Sequence, residues 1–178
     1  MKSAAPRLTP AALLAATLAL GGCSTLAPMA TWELLKLGSN AALASQTPRP
    51  VNTVHHGDAP VKNVCVEYNR DMPLDELVPA LQAELKTQGV DSRVYDAGAG
   101  QLACAYWLRY AGSIEWAVPP LGQEHRAYLS AAALSLHRAD GRLLSSSAYA
   151  GDSGLGRWAS TRKKIAPVVK ALITGFET

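Results

Sequence analysis

One stretch constrains the fold of this 178-residue chain more than any other: CAYWLRYAGSIEW, residues 104 to 116. Cys104, Tyr106, Leu108, Tyr110, Ile114 and Trp116 share one face under a period of two, and Trp107, Arg109, Ser113 and Glu115 share the other. Successive side chains of a strand point to opposite faces. The pattern predicts a long strand with one face buried and one open. Such a strand needs neighbours and a second layer over its apolar side.

The neighbours are legible on both sides. VKNVCVEY, residues 61 to 68, alternates Val64, Val66 and Tyr68 with Cys65 and Glu67, a second strand. In PLDELVPALQAELKTQG, Leu74, Leu77, Val78, Leu81 and Leu85 recur at helical spacing, with Gly89 as a C-cap. Pro79 predicts a bend there or a late start. VDSRVYDA reads as a short strand and GAGQ as a turn. WAVPPLGQEH is a proline-bearing loop, after which AYLSAAALSLHR and RLLSSSAYAG flank Asp140-Gly141, a strong hairpin signal. The alanine run at 131 to 133 suits a helix in isolation, but the turn and the alternating run behind it favour strand. STRKKIAPVVKALITGF aligns Ile165, Val168, Val169, Leu172, Ile173 and Phe176 on one helical stripe, with a kink or delayed start at Pro167. The order is β-α-β-β-β-β-α. It predicts an α+β domain over 61–178, an antiparallel or mixed sheet with both helices on one face.

The N-terminus has a different character. MKSAAPRLTP carries Lys2 and Arg7 and no acid, and AALLAATLAL is a ten-residue apolar run, too short to span a bilayer as a stable helix. Gly21 and Gly22 then precede Cys23. Leu-Gly-Gly-Cys resembles the bacterial lipobox. The resemblance implies a signal peptide over 1–22, cleavage before Cys23, and acyl chains on that cysteine, palmitate among them, as the membrane anchor. Two or more acyl chains hold a protein firmly, where one does not. Ser24, standing where Asp would resemble an inner-membrane retention signal, implies the periplasmic side of the outer membrane.

Residues 23–60 then read as a lipidated tether. TWELLKLGSNAALAS, residues 31–45, is a possible short helix with Trp32, Leu35 and Ala42 partly on one face, and TPRPVNTVHHGDAP is irregular. The formal charge of +3 is partly a property of the signal: without residues 1–22 the 17 Lys and Arg fall to 15, against 14 Asp and Glu. Nucleic-acid binding needs a real excess of positive charge. It is excluded as a partner class.

With Cys23 assigned to lipid, Cys65 and Cys104 remain. In an oxidising compartment the pair reads as a disulfide, with buried free thiols or a metal pair lacking nearby partners as alternatives. Closing a loop of roughly 40 residues stabilises by about 3 to 4 kcal/mol in the chain-entropy model. Its geometry poses a difficulty. If Val64 and Val66 face the core, Cys65 points away from it while Cys104 points in. Either Cys104 precedes the regular strand, or one facing is misread.

These elements together resemble a set of uncharacterised small proteobacterial lipoproteins over residues 61 to 176. The shared features are the Cys-bearing strand VCVEY, the helix ending LKTQGV, the strand CAYWLRY with a Trp soon after in IEWAV, and a last helix opening on a Lys-Ile-Ala-Pro-like run. More loosely, the architecture is similar to accessory envelope lipoproteins: the partner subunit of the lipopolysaccharide translocon, activators of peptidoglycan synthases, and auxiliary subunits of lipid transporters. The resemblance implies a non-catalytic module that binds an envelope protein, lipid or peptidoglycan, and no cofactor. Fold-level likeness carries a class of function and no residue roles.

Catalytic chemistry finds little support. AGDSGLG, residues 150 to 156, is similar to the nucleophile motif of trypsin-like proteases, with Ser153 as nucleophile, but Leu155 replaces a required glycine. That mechanism also needs a His base and an Asp orienter. An envelope hydrolase using Ser153 stays as the alternative to a binding module, and a self-associating structural lipoprotein as a third reading. His55, His56 and Asp58 in HHGD are weak metal ligands on a tether. Nothing fixes the separation of Glu115 and Glu124. Two candidate binding surfaces remain: Trp107 with Arg109 on the sheet face the helices leave open, residue types enriched at hot spots, and Arg157, Trp158, Arg162, Lys163 and Lys164 around the start of the last helix. Cations at a helix N-terminus oppose the dipole and suit an anionic membrane surface.

Overall fold

The computed structural model describes residues 48–57, 60–99, 104–151 and 154–176. Six strands form one sheet: β1 (Pro50–His55), β2 (Asn63–Tyr68), β3 (Asp91–Asp96), β4 (Tyr106–Ala117), β5 (Arg126–Arg138) and β6 (Leu143–Tyr149), in the spatial order β1-β6-β5-β4-β2-β3. β2 is parallel to both β3 and β4, and every other pairing is antiparallel. The sheet is therefore mixed. Parallel neighbours need a crossover, and α1 (Leu77–Thr87) supplies it between β2 and β3. β4, β5 and β6 run as a meander, the last turn made at Asp140-Gly141 with Gly141 at φ 88°.

α1 starts late, with Pro79 in its first turn, where no backbone donor is needed. It ends in a Schellman arrangement: Gly89 at φ 76° donates to the Lys86 carbonyl, and Val90 donates to that of Leu85. α2 (Thr161–Thr174) begins at Ser160, whose hydroxyl accepts from the Lys163 N–H, and ends at Gly175 in the left-handed region. Pro167 stays inside this helix.

Both helices cover one face. Val64, Val66, Leu108, Tyr110, Leu134 and Leu136 from the sheet meet Leu77, Leu81 and Leu85 of α1 and Ile165, Val168 and Leu172 of α2 in one buried cluster. β6 brings serines into that layer. Ser145 Oγ donates to the Leu172 carbonyl at 2.8 Å, and the Ser147 hydroxyl pairs with that of Thr53 at 2.9 Å. Hydrogen-bonded hydroxyls can be buried at little cost.

Three expectations are corrected. The sheet begins at residue 50, not 61: Val51 and Val54 pair with Ala148 and Ser146 across a bulge at Asn52, φ 54°. The bulge breaks the alternation that would have marked the strand. Phe176 is 71% exposed, because α2 ends before it and the chain turns at Gly175. Trp116 is 67% exposed, although its face is buried further back along β4. The ladder shifts register between Ser113 and Ile114, and the hairpin beyond it is exposed. The segment 31–45 lies outside the described residues.

Candidate functional site

Away from the helices, the sheet face divides in two. Around β2 and the first half of β4, Cys65, Trp107 and Tyr95 form a small second layer. Cys104 sits two residues ahead of β4 and is bonded to Cys65, which settles the facing difficulty: Val64 and Val66 point to the helices, and Cys65 to the other side. Trp107 stands opposite Cys65 in the ladder and packs against the Tyr95 ring at 6.0 Å. Gly98 and Ala99, after β3, share a recess with it.

Trp107 is thus only 8% exposed and is no free contact residue, a correction to the open-face reading. The physical reason is its neighbours on this face, the Tyr95 ring of β3 against its indole and the disulfide-bonded Cys65 opposite it in the ladder. Arg109 does stay exposed, with its Nε on Glu67 at 2.6 Å. The other half of the face carries small residues, Ala111, Ser113, Ala133, Ser135, Ser146 and Ala148, and no described helix covers it.

The second candidate surface is partly dismantled as well. Lys164 is 1% exposed; its Nζ donates to the carbonyls of Leu129 at 2.8 Å and Arg157 at 2.5 Å and lies 5.2 Å from the Tyr128 ring centre. Arg162 Nε donates to Glu84 Oε1 of α1 at 2.5 Å. Arg157 lies over Tyr128 at 5.9 Å, and Trp158, on the 3-10 turn Gly154–Trp158, packs against the same ring at 5.2 Å. Lys163 is half-buried. Tyr128 Oη donates to Glu115 Oε2 at 2.5 Å. That bond, then desolvation and the Glu115 charge, holds its hydroxyl proton above the usual tyrosine range, against a smaller opposing effect of Arg157.

A feature the sequence reading passed over adjoins this cluster. Trp116 pairs with Ala127, one residue from Tyr128, and beyond it Val118 and Leu121 are exposed at the end of the β4–β5 hairpin. Leu121 has φ 64°, a conformation disfavoured for a branched side chain. The signal lay in WAVPPL, where two prolines stiffen a loop carrying a Trp, a Val and a Leu. The loop's apolar residues face outward.

Catalytic arrangements are sparse among the described residues. Ser135 Oγ lies 3.0 Å from His137 Nε2, and His137 Nδ1 lies 3.3 Å from the Gly141 carbonyl. A nucleophile needs an oxyanion hole beside such a pair. Ser135 sits mid-strand, paired with Arg109 on one side and Ser146 on the other, so its backbone is committed to the sheet. No group of three or more His, Cys, Asp or Glu is placed to hold a metal among the described residues. His55 and His56 are exposed at the end of β1. Cys23, Asp58 and Ser153 lie outside the described residues. No described helix is long and apolar enough to cross a membrane.

No family model matches the chain, and no curated protein matches it. Among solved structures it is similar to a PelC dodecamer from Paraburkholderia phytofirmans, at 19% identity and a TM-score of 0.45, covering 72% of this chain and 100% of that one. A point variant of the same PelC, also a dodecamer, matches at 17% identity and a TM-score of 0.43, covering 72% and 98%.

Proposed function

We propose that this chain is a lipoprotein of the bacterial cell envelope, anchored through Cys23 on the periplasmic side of the outer membrane, whose α+β domain works by binding and not by catalysis. The observation that carries the reading is the hairpin end. Trp116, Val118 and Leu121 are exposed at the end of the β4–β5 hairpin. Exposed apolar groups at a hairpin end suit the boundary of a bilayer or a docking partner held close to one. An acyl anchor brings such a surface to the membrane without a spanning segment.

Fractionation of cells expressing the native chain, Cys23→Ser, and a Trp116→Ser/Leu121→Ser double variant tests this. The native chain should sediment with outer membranes and Cys23→Ser should not. The hairpin variant should stay anchored but lose its cross-links to the envelope component it serves, identified by mass spectrometry. A Cys23→Ser chain still in the outer membrane would overturn the anchor. Unchanged cross-links in the hairpin variant would overturn the binding surface. A second reading, self-association, has in its favour the open sheet half of small residues, and sedimentation of the chain in detergent decides it.

A further inference from the structure

We propose that a recess on the sheet face away from the helices binds a neutral sugar through two neighbouring ring hydroxyls. The proposal names a ligand class for the binding module and rests on that reading. The recess holds about 340 Å³, within the range of small-molecule sites, about 300 to 1,000 Å³, and Glu67, Trp107, Arg109, His137 and Asp140 line it. The ladder brings these side chains to one place. Trp107 is the partner of Cys65 on β2 and of His137 on β5, and Arg109 is the partner of Ser135. Ladder partners share a face, as do residues two apart on a strand. Glu67 therefore stands beside Arg109, and its Oε2 accepts from the Arg109 Nε at 2.6 Å. His137 is held in turn by Ser135, whose Oγ lies 3.0 Å from its Nε2.

Charge selects the ligand class. Two acids, Glu67 and Asp140, and two arginines, Arg109 and Arg138, line the recess, so it singles out neither an anion nor a cation. The Glu67–Arg109 pair instead sets an acceptor beside a donor. Among the described residues Arg109 engages only Nε, which leaves both Nη groups, and Glu67 engages only Oε2, which leaves Oε1. A hydroxyl donates and accepts at once. Two hydroxyls on neighbouring ring carbons would donate to Glu67 Oε1 and accept from an Arg109 Nη, charge-assisted in both directions. Trp107 is 8% exposed, too little for a sugar ring to stack on, so hydrogen bonds carry the recognition. A second recess, of about 310 Å³, shares Glu67 and Arg109, and Tyr68 and Asn69 line it too. The pair thus borders both recesses, and consecutive rings of a glycan chain would rest on either side of it. The sugar is either free or part of such a chain, and the two are separable.

The test uses the full chain, purified from membranes in a polyoxyethylene detergent, which carries no sugar. Titration calorimetry is run against the methyl glycosides of glucose, galactose, mannose and N-acetylglucosamine, and against linear tetramers of glucose and of N-acetylglucosamine. Tetrahydropyran-2-methanol, a like ring without neighbouring hydroxyls, is the control. Binding is expected for at least one of the sugars, with a Kd of about 1 mM or tighter. Arg109→Ala and Glu67→Ala should each weaken it about tenfold, with partial rescue by Arg109→Lys. The pair is solvent-screened, so a urea midpoint close to the native one shows the fold intact in each variant. Tighter binding of a tetramer than of its own glycoside assigns a glycan chain, and equal binding assigns a single sugar. Three results overturn the proposal: no binding of any of these sugars, equal binding of the control, or undiminished binding by the Glu67→Ala/Arg109→Ala chain. Anchoring and the hairpin cross-links need neither side chain, so their persistence in that chain would separate failure of the recess from failure of the envelope reading.

Discussion

The ammonium of Lys164 donates to the backbone carbonyl of Leu129 at 2.8 Å, from a side chain 1% exposed. A second bond to the Arg157 carbonyl ties the 3-10 turn to the first turn of α2, and the Tyr128 and Tyr149 rings lie within cation–π range at 5.2 and 5.8 Å. A buried charge is tolerable only with this kind of satisfaction. Lys164→Met keeps most of the volume but leaves two carbonyls without this donor. It should cost about 2 to 4 kcal/mol, read as a lower midpoint in urea unfolding. A midpoint equal to that of the native chain would show that the lysine contributes no net stability.

Arg162 and Glu84 join the two helices. Glu84 is 7% exposed, while the Arg162 side chain is 60% exposed. Breaking a fully buried pair is severe, but solvent screens this one from the arginine side. Arg162→Ala should therefore destabilise by only about 1 to 2 kcal/mol, and Glu84→Gln in the same chain should recover part of the loss. A double-mutant cycle with no coupling between the two positions would contradict the pairing.

These lysine and arginine positions show where the sequence was readable and where it was not. Thr161, Lys164, Ile165, Val168, Val169 and Leu172 follow helical spacing, and all are buried. The stripe was legible, but the charge of Lys164 outweighed its position on it. β4, β5 and β6 were legible because alternation and the Asp140-Gly141 turn are local signals. β1 was not. Its partner β6 lies some ninety residues away, since Thr53 and Ser147 are 94 apart, and the bulge at Asn52 erases its period. Trp107 read as open for a related reason: its neighbours Tyr95 and Cys65 come from other strands, contacts no period encodes. The hairpin end was missed because periodicity says which face a residue takes, not whether a helix reaches over it.

Two tyrosines predict an alkaline limit to stability. Burial raises the Tyr110 pKa above 10.0, with a smaller upward push from Tyr68, against the Asn69 N–H that donates to its oxygen at 3.1 Å. Tyr128 is raised chiefly by its bond to Glu115. A group whose pKa is higher folded than unfolded contributes stability below the unfolded value, and that contribution is lost as pH rises through the folded one. Thermal midpoints should hold up to about pH 10 and fall above it. Tyr110→Phe and Tyr128→Phe should each make that fall shallower. An alkaline limb identical in all three chains would refute the assignment.

The disulfide predicts an effect on both stability and the setting of Trp107, which stands opposite Cys65 in the ladder. Cys65 and Cys104 are 39 residues apart, and the link holds the end of the β3–β4 connection against β2. Removing it frees the unfolded chain and should cost about 3 to 4 kcal/mol. It should also loosen Gly98 and Ala99 from the recess they share with Trp107. In a Cys65→Ser/Cys104→Ser chain, quenching of tryptophan fluorescence by iodide should rise. The excess should vanish when Trp107 is also replaced by Phe, since neither Trp116 nor Trp158 lines this recess. Lower stability with unchanged quenching would mean that the connection keeps its place without the bond. The disulfide would then be a staple for the unfolded state alone, and the cover over Trp107 a property of the loop's own packing.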